Sequence, residues 1–311
     1  MPSNDATALL CPECRDAIDR ERLACASCGW RGEHRLGVPI VMSRSDRADP
    51  TFSSYLENYD SISRDDIEDP ILQLEYVRHQ VRNLASFLGD VGHLDVLDLG
   101  CGRGLLSKTM IAAGAKSVVG VDISVPYLST LCGIEKFQPM CANAENLPFN
   151  EQFDIVVSTD VLEHVLNVGA CLLSINRALR PQGRVCIRVP LNENLLGYTP
   201  ALGCKYRFVH LRSFNKDLLR DALSGAGFRV EKFRVDGFVP GIRREPFRNP
   251  RYLYERVEAR ILRAVKDPVS ITSWPPAIAG IFWKPHELIV MATKIKRIVA
   301  LEPQGFELVD V

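Results

Sequence analysis

The sequence has no excess of charge: 38 Lys and Arg residues balance 38 Asp and Glu residues over 311 positions. That balance argues against a protein built to hold nucleic acid through a broad basic surface. Long apolar runs are missing too. The longest, near Ala277 to Trp283, falls well short of the roughly 18 residues a membrane helix needs. The opening residues MPSNDATALL lack the basic start and apolar stretch of a secretion signal, so a cytoplasmic location is expected. There is no internal repeat and no low-complexity tract. With 46% hydrophobic and 24% charged residues, the chain has the composition of an ordinary folded protein of about two domains.

Cysteine is present but unevenly placed. An even spread of ten would put about one in the first 28 residues, yet Cys11, Cys14, Cys25 and Cys28 all fall there. The other six are scattered singly, as small hydrophobes are in a reducing compartment. The cluster reads as two CxxC turns separated by ten residues. Each turn presents two thiolates, and two facing turns complete a closed tetrahedral S₄ site, the zinc-ribbon arrangement. A segment of about 45 residues buries too little apolar surface to fold alone, so a structural Zn²⁺ is expected to supply the missing stability. His34 is a less favoured substitute ligand, and two disulfides are the reading that cytoplasmic chemistry opposes. LGVPIVM (Leu36 to Met42) reads as the strand that closes this module, placed at residues 1–45. Residues 46–90 read as a linker, with six acidic residues against one basic between Glu57 and Asp69, then a helix. That helix carries Ile71, Leu74, Val77, Val81, Leu84 and Leu88 at spacings of three and four.

From residue 91 to 311, short apolar runs alternate with helical stretches, the pattern of a doubly wound, mostly parallel α/β sheet. Seven strands are predicted: Leu94–Leu99, Ser117–Asp122, Phe137–Cys141, Phe153–Ser158, Arg184–Val189, Phe228–Arg234 and Glu287–Thr293. Helices are clearest at Gly104–Ala113, Val168–Leu179 and Asn215–Ala226. A ligand is expected off the carboxyl ends of the strands. The first strand ends DLGCGRG, with Asp98 before Gly100, Gly102 and Gly104. A carboxylate there would repel a pyrophosphate, but it suits S-adenosyl-L-methionine, which carries a cationic amino group and a sulfonium and no phosphate. Asp122 closes the second strand, where an acidic residue can accept both ribose hydroxyls. Asn143 and Ala144 follow the third strand at the adenine edge, and Asp160 and His164 follow the fourth at the mouth of the pocket.

VLDLGCGRG, VVGVDIS, ANAENLPF, FDIVVSTDVLEHV and ALRPQGRV together resemble, in order and spacing, the motifs of class I S-adenosylmethionine-dependent methyltransferases, nearest the ubiquinone-biosynthesis group. HLRSFNKDLL and SGAGFRV are similar to later motifs, so the resemblance covers most of residues 91–311. It implies a Rossmann-like methyltransferase fold. It also implies methionine-moiety contacts from Asp98, Gly100, Cys101, Gly102 and Gly104, ribose held at Asp122, adenine near Asn143 and Ala144, and Ile123 within the same cofactor site. Thr159 joins the same cofactor site. Asn143 stands where many members have aspartate, and its amide is expected to bond the adenine amino group. The N-terminal ribbon separately resembles those of some ribosomal RNA guanine methyltransferases and of small zinc-binding subunits that partner methyltransferases.

Methyl transfer is an in-line displacement whose reactivity comes mostly from the cofactor, so the protein aligns the acceptor and removes a proton where the acceptor is a hydroxyl. Candidate bases are His164 and His210, with Asp160 third. Their alternatives are a packing role for His164 and a structural hydrogen bond for His210. Tyr59 reads as a linker aromatic that packs, with closure over the cofactor as its less favoured alternative. Residues 191–212 and 236–285 are expected to form the acceptor side. The second has eight basic and three acidic residues between Gly241 and Lys266, read as a helix with a solvated basic face, or as a lid for an anionic acceptor. Three readings follow. The first is methyl transfer, on oxygen, to a small-molecule, glycan or lipid-linked acceptor. The second is an RNA methyltransferase; seven basic against eight acidic residues in Met1 to Pro50, and the lack of a proline-aromatic motif after the fourth strand, oppose it. The third is a non-catalytic cofactor-binding domain whose ribbon docks a partner protein.

Overall fold

The computed structural model describes residues 9–68, 74–198, 209–237, 285–301 and 305–311. Its frame is a sheet built from β3 (Asp95–Leu99), β4 (Ser117–Asp122), β5 (Phe137–Ala142), β6 (Phe153–Thr159), β7 (Leu179–Pro190), β8 (Phe228–Asp236) and β9 (Glu287–Lys294). These are the seven strands the sequence predicts. Their order is β5-β4-β3-β6-β7-β9-β8, parallel except for β9, which runs antiparallel to both β7 and β8. Val96, Leu97, Ile155, Val156, Val157, Cys186 and Ile187 are almost wholly buried, as expected of central strands with both faces covered by helices. β7 begins at Leu179 rather than Arg184, because Leu179 pairs with Phe153 before a register shift. Residues Pro181–Gly183 thus lie inside the strand, with Gln182 left-handed at φ 61°.

The sheet has nine strands, not seven. A hairpin of β1 (Glu33–Arg35) and β2 (Val38–Val41) lies on its β5 edge, where Ile40 and Val41 pair in parallel with Cys141 and Ala142. The strand expected to close the ribbon therefore also extends the central sheet. Val38, Ile40 and Val41 are buried. Pairing covers the Cys141–Ala142 end of the outer edge of β5, which would otherwise be left open. The ribbon does not stand apart: Leu9, Ile18, Leu23 and Trp30 share one apolar cluster with Leu147, Phe149 and Leu97. Trp30 Nε1 donates to the Met42 carbonyl at 2.9 Å.

The stretch expected as a linker is helical. Ser43 caps α1 (Arg44–Ala48) in a capping box with Asp46. The chain continues into α2 (Pro50–Glu68) and then α3 (Leu74–Leu88), the helix the sequence predicts from Ile71. Phe52, Tyr55, Tyr59, Ile62 and Ser63 recur at spacings of three, four and one along α2 and face the sheet, which explains the helix. Within the acidic run, Glu57 and Glu68 are exposed, whereas Asp66 turns inward to line a cavity. α4 (Leu105–Ala112), α5 (Val125–Ser129), α6 (Val168–Ala178) and α7 (Lys216–Gly225) complete the layers, and β10 (Lys296–Leu301) pairs with β11 (Gly305–Asp310) as a separate hairpin. Of the predicted acceptor-side stretches, residues 199–208 and 238–284 lie outside the described residues. Among the described residues no helix is long and apolar enough to cross a membrane.

Candidate active site and four-cysteine centre

At the carboxyl ends of β3 to β6, α2 and α3 roof two adjoining cavities of about 390 and 370 Å³, a size common for small-ligand sites. The first lies between α2, contributing Phe52, Tyr55, Tyr59 and Ile62, and the loops after β4, β5 and β6. The second lies under α3 and includes Gln80, Arg103, Thr159 and Arg188. Gly100, Gly102, Tyr127 and Asp160 border both.

The glycine loop joins β3 to α4. Gly100, Gly102 and Gly104 adopt φ of 75°, 47° and 68°, which side chains other than glycine rarely tolerate. A Cβ on Gly100 would lie 2.2 Å from a Val161 methyl, whereas one on Gly102 meets nothing within 4 Å. The loop is thus tightly packed at its start and open to the cavities at Gly102. Asp122 sits at the rim of the first cavity, accepting from the Gly102 and Ser124 amides at 2.9 Å each. Burial raises its carboxyl above the ordinary range despite those amides. Ser124 is in turn bonded to Ser63 of α2 at 2.7 Å, and Tyr127 donates to Asp66 at 2.8 Å, so the roof is tied to the floor.

The predicted cofactor residues divide into two groups. Gly100, Gly102, Asp122, Ile123, Asn143 and Ala144 line the first cavity, and Cys101 and Thr159 line the second. Gly104 instead forms the left-handed cap of α4 against Leu131. Asp98 lies beneath the loop, 1% exposed, accepting the Ser107 hydroxyl at 2.5 Å. Burial pushes it up to about 6. The Asn143 amide is engaged within the protein: its nitrogen donates to Asp46 and its oxygen accepts from the Glu145 amide. It shapes the cavity wall rather than presenting a free amide edge.

The predicted bases gather around the loop after β6. Asp160, left-handed at φ 55°, is paired by Arg188 of β7, whose carbonyl also accepts the Asp160 amide. His164 lines the first cavity. Its Nδ1 donates to the Val209 carbonyl and lies against the Tyr59 hydroxyl, leaving Nε2 unprotonated. Burial, with His210 beside it, holds His164 down to about 4, so it is neutral at pH 7. His210 packs edge-on against His164 at 4.7 Å and donates from Nδ1 to Glu193. Although burial works the other way, the bonds from His210 and Tyr198 keep Glu193 below the usual carboxylate range. Glu163 is fully buried, and neither carboxyl oxygen has a hydrogen-bond partner among the described residues, although Oε1 lies 3.8 Å from His164 Nε2. Burial, then Asp160, push it well above its ordinary value. Glu163, His164 and His210 offer ligand atoms within 4.8 Å of one another. The cluster has the donors to accept a proton or to ligate a divalent cation.

Sequence reasoning missed Glu163, Glu193 and Arg188. Glu163 stands beside His164 within DVLEHV, and an acid next to a candidate base was a signal available in one dimension. Glu193 and Arg188 join the site only through the fold.

A family model for a methyltransferase domain matches residues 73–232, just over half of the chain. The chain belongs to this methyltransferase-domain family. Among curated proteins, the ubiquinone biosynthesis O-methyltransferase of Bradyrhizobium diazoefficiens is 34% identical over 149 residues, covering 43% of this chain and 56% of that protein. The mitochondrial enzyme of the same name from Dictyostelium discoideum is 31% identical over 132 residues, covering 37% and 41%. This methyltransferase-domain protein thus spans about half the length of the curated relatives it matches. Among solved structures, a chain from the complex of the Haloferax volcanii Trm112 methyltransferase activator superposes with a TM-score of 0.52 at 15% identity, over 77% of this chain and 97% of that one. That likeness speaks for the fold.

The second centre of this methyltransferase-domain protein is the ribbon. All four sulfurs of Cys11, Cys14, Cys25 and Cys28 lie within 4.8 Å of one another, with Cys11–Cys28 and Cys14–Cys25 each at 3.5 Å. A tetrahedron with metal–sulfur bonds of roughly 2.3 Å has edges of roughly 3.8 Å, so the four thiols fit a zinc ion. His34 lies on exposed β1, outside this cluster.

Proposed function

We propose that the protein transfers the methyl group of S-adenosylmethionine to a hydroxyl oxygen of a small-molecule acceptor, with a structural zinc held by Cys11, Cys14, Cys25 and Cys28. One arrangement carries this reading: a single cavity is lined by a left-handed glycine loop, by the Asp122 carboxylate and by His164, the member of the histidine–carboxylate cluster that faces it. Membership of the methyltransferase-domain family and similarity to O-methyltransferases support it.

In this reading Asp122, held in place by the Gly102 and Ser124 amides, takes the ribose hydroxyls as further donors to its carboxylate. Tyr55, Tyr59, Ala142 and Ala144 provide the apolar walls for the base. Gly102 lets the methionine moiety cross toward Asp160 and Thr159. The bound cofactor supplies an electrophilic methyl group on a sulfonium. His164 takes the acceptor's hydroxyl proton: its Nδ1–H is fixed on the Val209 carbonyl, so the lone pair is on Nε2, which lies 3.8 Å from the Glu163 carboxyl. The ionised Glu193 on His210 stabilises the positive charge that develops in the histidine pair. The roof of α2 and α3 excludes water from the transfer.

Calorimetric titration with S-adenosylhomocysteine tests the cofactor assignment. Wild type is expected to bind, and Asp122→Ala to weaken binding by about 1–3 kcal/mol through the lost charge-assisted bonds. Equal affinity would remove Asp122 from the ribose site. With small hydroxylated acceptors, His164→Ala is expected to lower kcat by about 10²–10⁴-fold at unchanged cofactor affinity.

A further inference from the structure

The first cysteine turn is bonded to the wall of the cofactor cavity. Arg15 follows Cys14 directly and is left-handed at φ 66°, its amide closing the turn on the Cys11 carbonyl at 3.0 Å. That conformation swings the half-buried guanidinium over residues 146–149. It donates to the Asn146 side-chain oxygen at 3.2 Å, the Leu147 carbonyl at 2.9 Å and the Phe149 carbonyl at 3.2 Å. The Leu10 amide reaches the Pro148 carbonyl at 2.9 Å, and Asn146 donates back to the Pro12 carbonyl at 2.8 Å. Asn146 ends the 3₁₀ turn Ala144–Asn146, and Asn143, Ala144 and Glu145 at its start line the cavity.

The second cysteine turn braces the same wall from its other side. Arg44 donates from its guanidinium to the Cys28 carbonyl at 3.1 Å and from its amide to Glu13. Two residues on, Asp46 accepts from Asn143 at 3.0 Å. The first turn directly, and the second through Arg44 and Asp46, are thus tied to the loop from Asn143 to Phe149. A ribbon that served only as a separate docking module would have no need of a guanidinium spanning three acceptors on this loop.

We propose that Arg15 is a positioning residue for the adenine end of the cofactor cavity, and that through it the metal state of the four-cysteine centre sets cofactor affinity. The proposal rests on the cofactor and zinc reading given above. Metal holds Cys11 and Cys14 in one turn and so fixes the backbone that aims Arg15. Without it the three acceptors turn to water and the wall loses its brace. Coupling of this kind is reciprocal: cofactor must tighten metal by the same factor that metal tightens cofactor.

The test uses the full chain and S-adenosylhomocysteine, with adenosine as a probe of the nucleoside end alone. In the zinc-loaded protein, Arg15→Met should weaken both ligands by about tenfold, equivalent to about 1.4 kcal/mol, while keeping stoichiometric zinc and the wild-type melting temperature within a few degrees. Arg15→Lys, which can serve one acceptor at a time, should fall between. Chelation of wild type should weaken both ligands by a similar factor, and zinc should restore them. Saturating S-adenosylhomocysteine should slow zinc release from wild type but not from Arg15→Met. A purely structural role would lower melting temperature and zinc retention together and leave this ligand dependence in place. Unchanged affinity in Arg15→Met, or in chelated protein whose residues 95–190 stay folded, overturns the proposal. Failure of zinc-loaded wild type to bind S-adenosylhomocysteine overturns the cofactor reading beneath it, a distinct result.

Discussion

Chelation of the metal, or Cys11→Ser, is expected to unfold residues 9–32 while the sheet from β3 to β9 remains protected in hydrogen exchange. The ribbon has almost no regular structure of its own. Its pairing is confined to isolated bridges, Leu10 with Ala17 and Ala24 with both Asp19 and Arg31. Its apolar core amounts to Leu9, Ile18, Leu23 and Trp30, all turned onto the sheet edge. Structural zinc contributes about 10–16 kcal/mol in comparable peptide sites at pH 7, far more than these few side chains supply. The amides of Cys11, Ile18, Cys25 and Gly32, each bonded within the ribbon, should lose protection on chelation, whereas Val119 and Val156 should not. The β1–β2 hairpin should loosen with them, since β2 is held by only two parallel pairs on β5. Full protection of residues 9–32 after chelation would mean that docking alone holds the ribbon, and the metal would have no structural task.

The sheet was legible because its strands are short β-branched runs bounded by glycine and by polar turns, and burial on both faces demands that composition locally. The glycine loop and Asp122 were legible for a related reason. A backbone that must turn with φ positive, and a carboxylate that must close a strand, are constraints met within a few adjacent residues. Helix α2 was misread as a linker because its acidic run masks an apolar stripe of Phe52, Tyr55, Tyr59 and Ile62. The separation of the ribbon from the core was overdrawn for a different reason. Spacing reveals that four cysteines can meet, but not that Arg15 between them reaches three acceptors more than 130 positions away. The same holds for Arg188 on Asp160 and Glu193 on His210. Each partner is chosen by the crossing of elements, and no periodicity in the chain records it.

The other large effect concerns Asp98, the carboxylate beneath the glycine loop. Burial pushes it up to about 6 from an ordinary 3.8, against the opposing bond from Ser107. A folded-state value above the unfolded one means that the native protein binds a proton more readily. Stability therefore rises as pH falls through about 6, and the rise is complete below 3.8. Above pH 7 the whole cost of the buried charge is present, about 3 kcal/mol for a shift of this size. Asp98→Asn removes the charge but leaves a buried amide, and the cost of that amide does not vary with pH. The stability of the variant relative to wild type should thus improve by about 2–3 kcal/mol between pH 4 and pH 7.5, measured by urea unfolding at each pH. The same substitution should weaken S-adenosylhomocysteine binding at pH 7.5, because an anion under the loop favours a ligand with a cationic amino group. A stability difference that stays flat with pH would mean that Asp98 titrates in the native protein as it does in the unfolded chain. Its burial would then carry no electrostatic cost for cofactor binding to offset. Opposite signs in the two measurements would identify a charge kept at the expense of the fold because the ligand requires it.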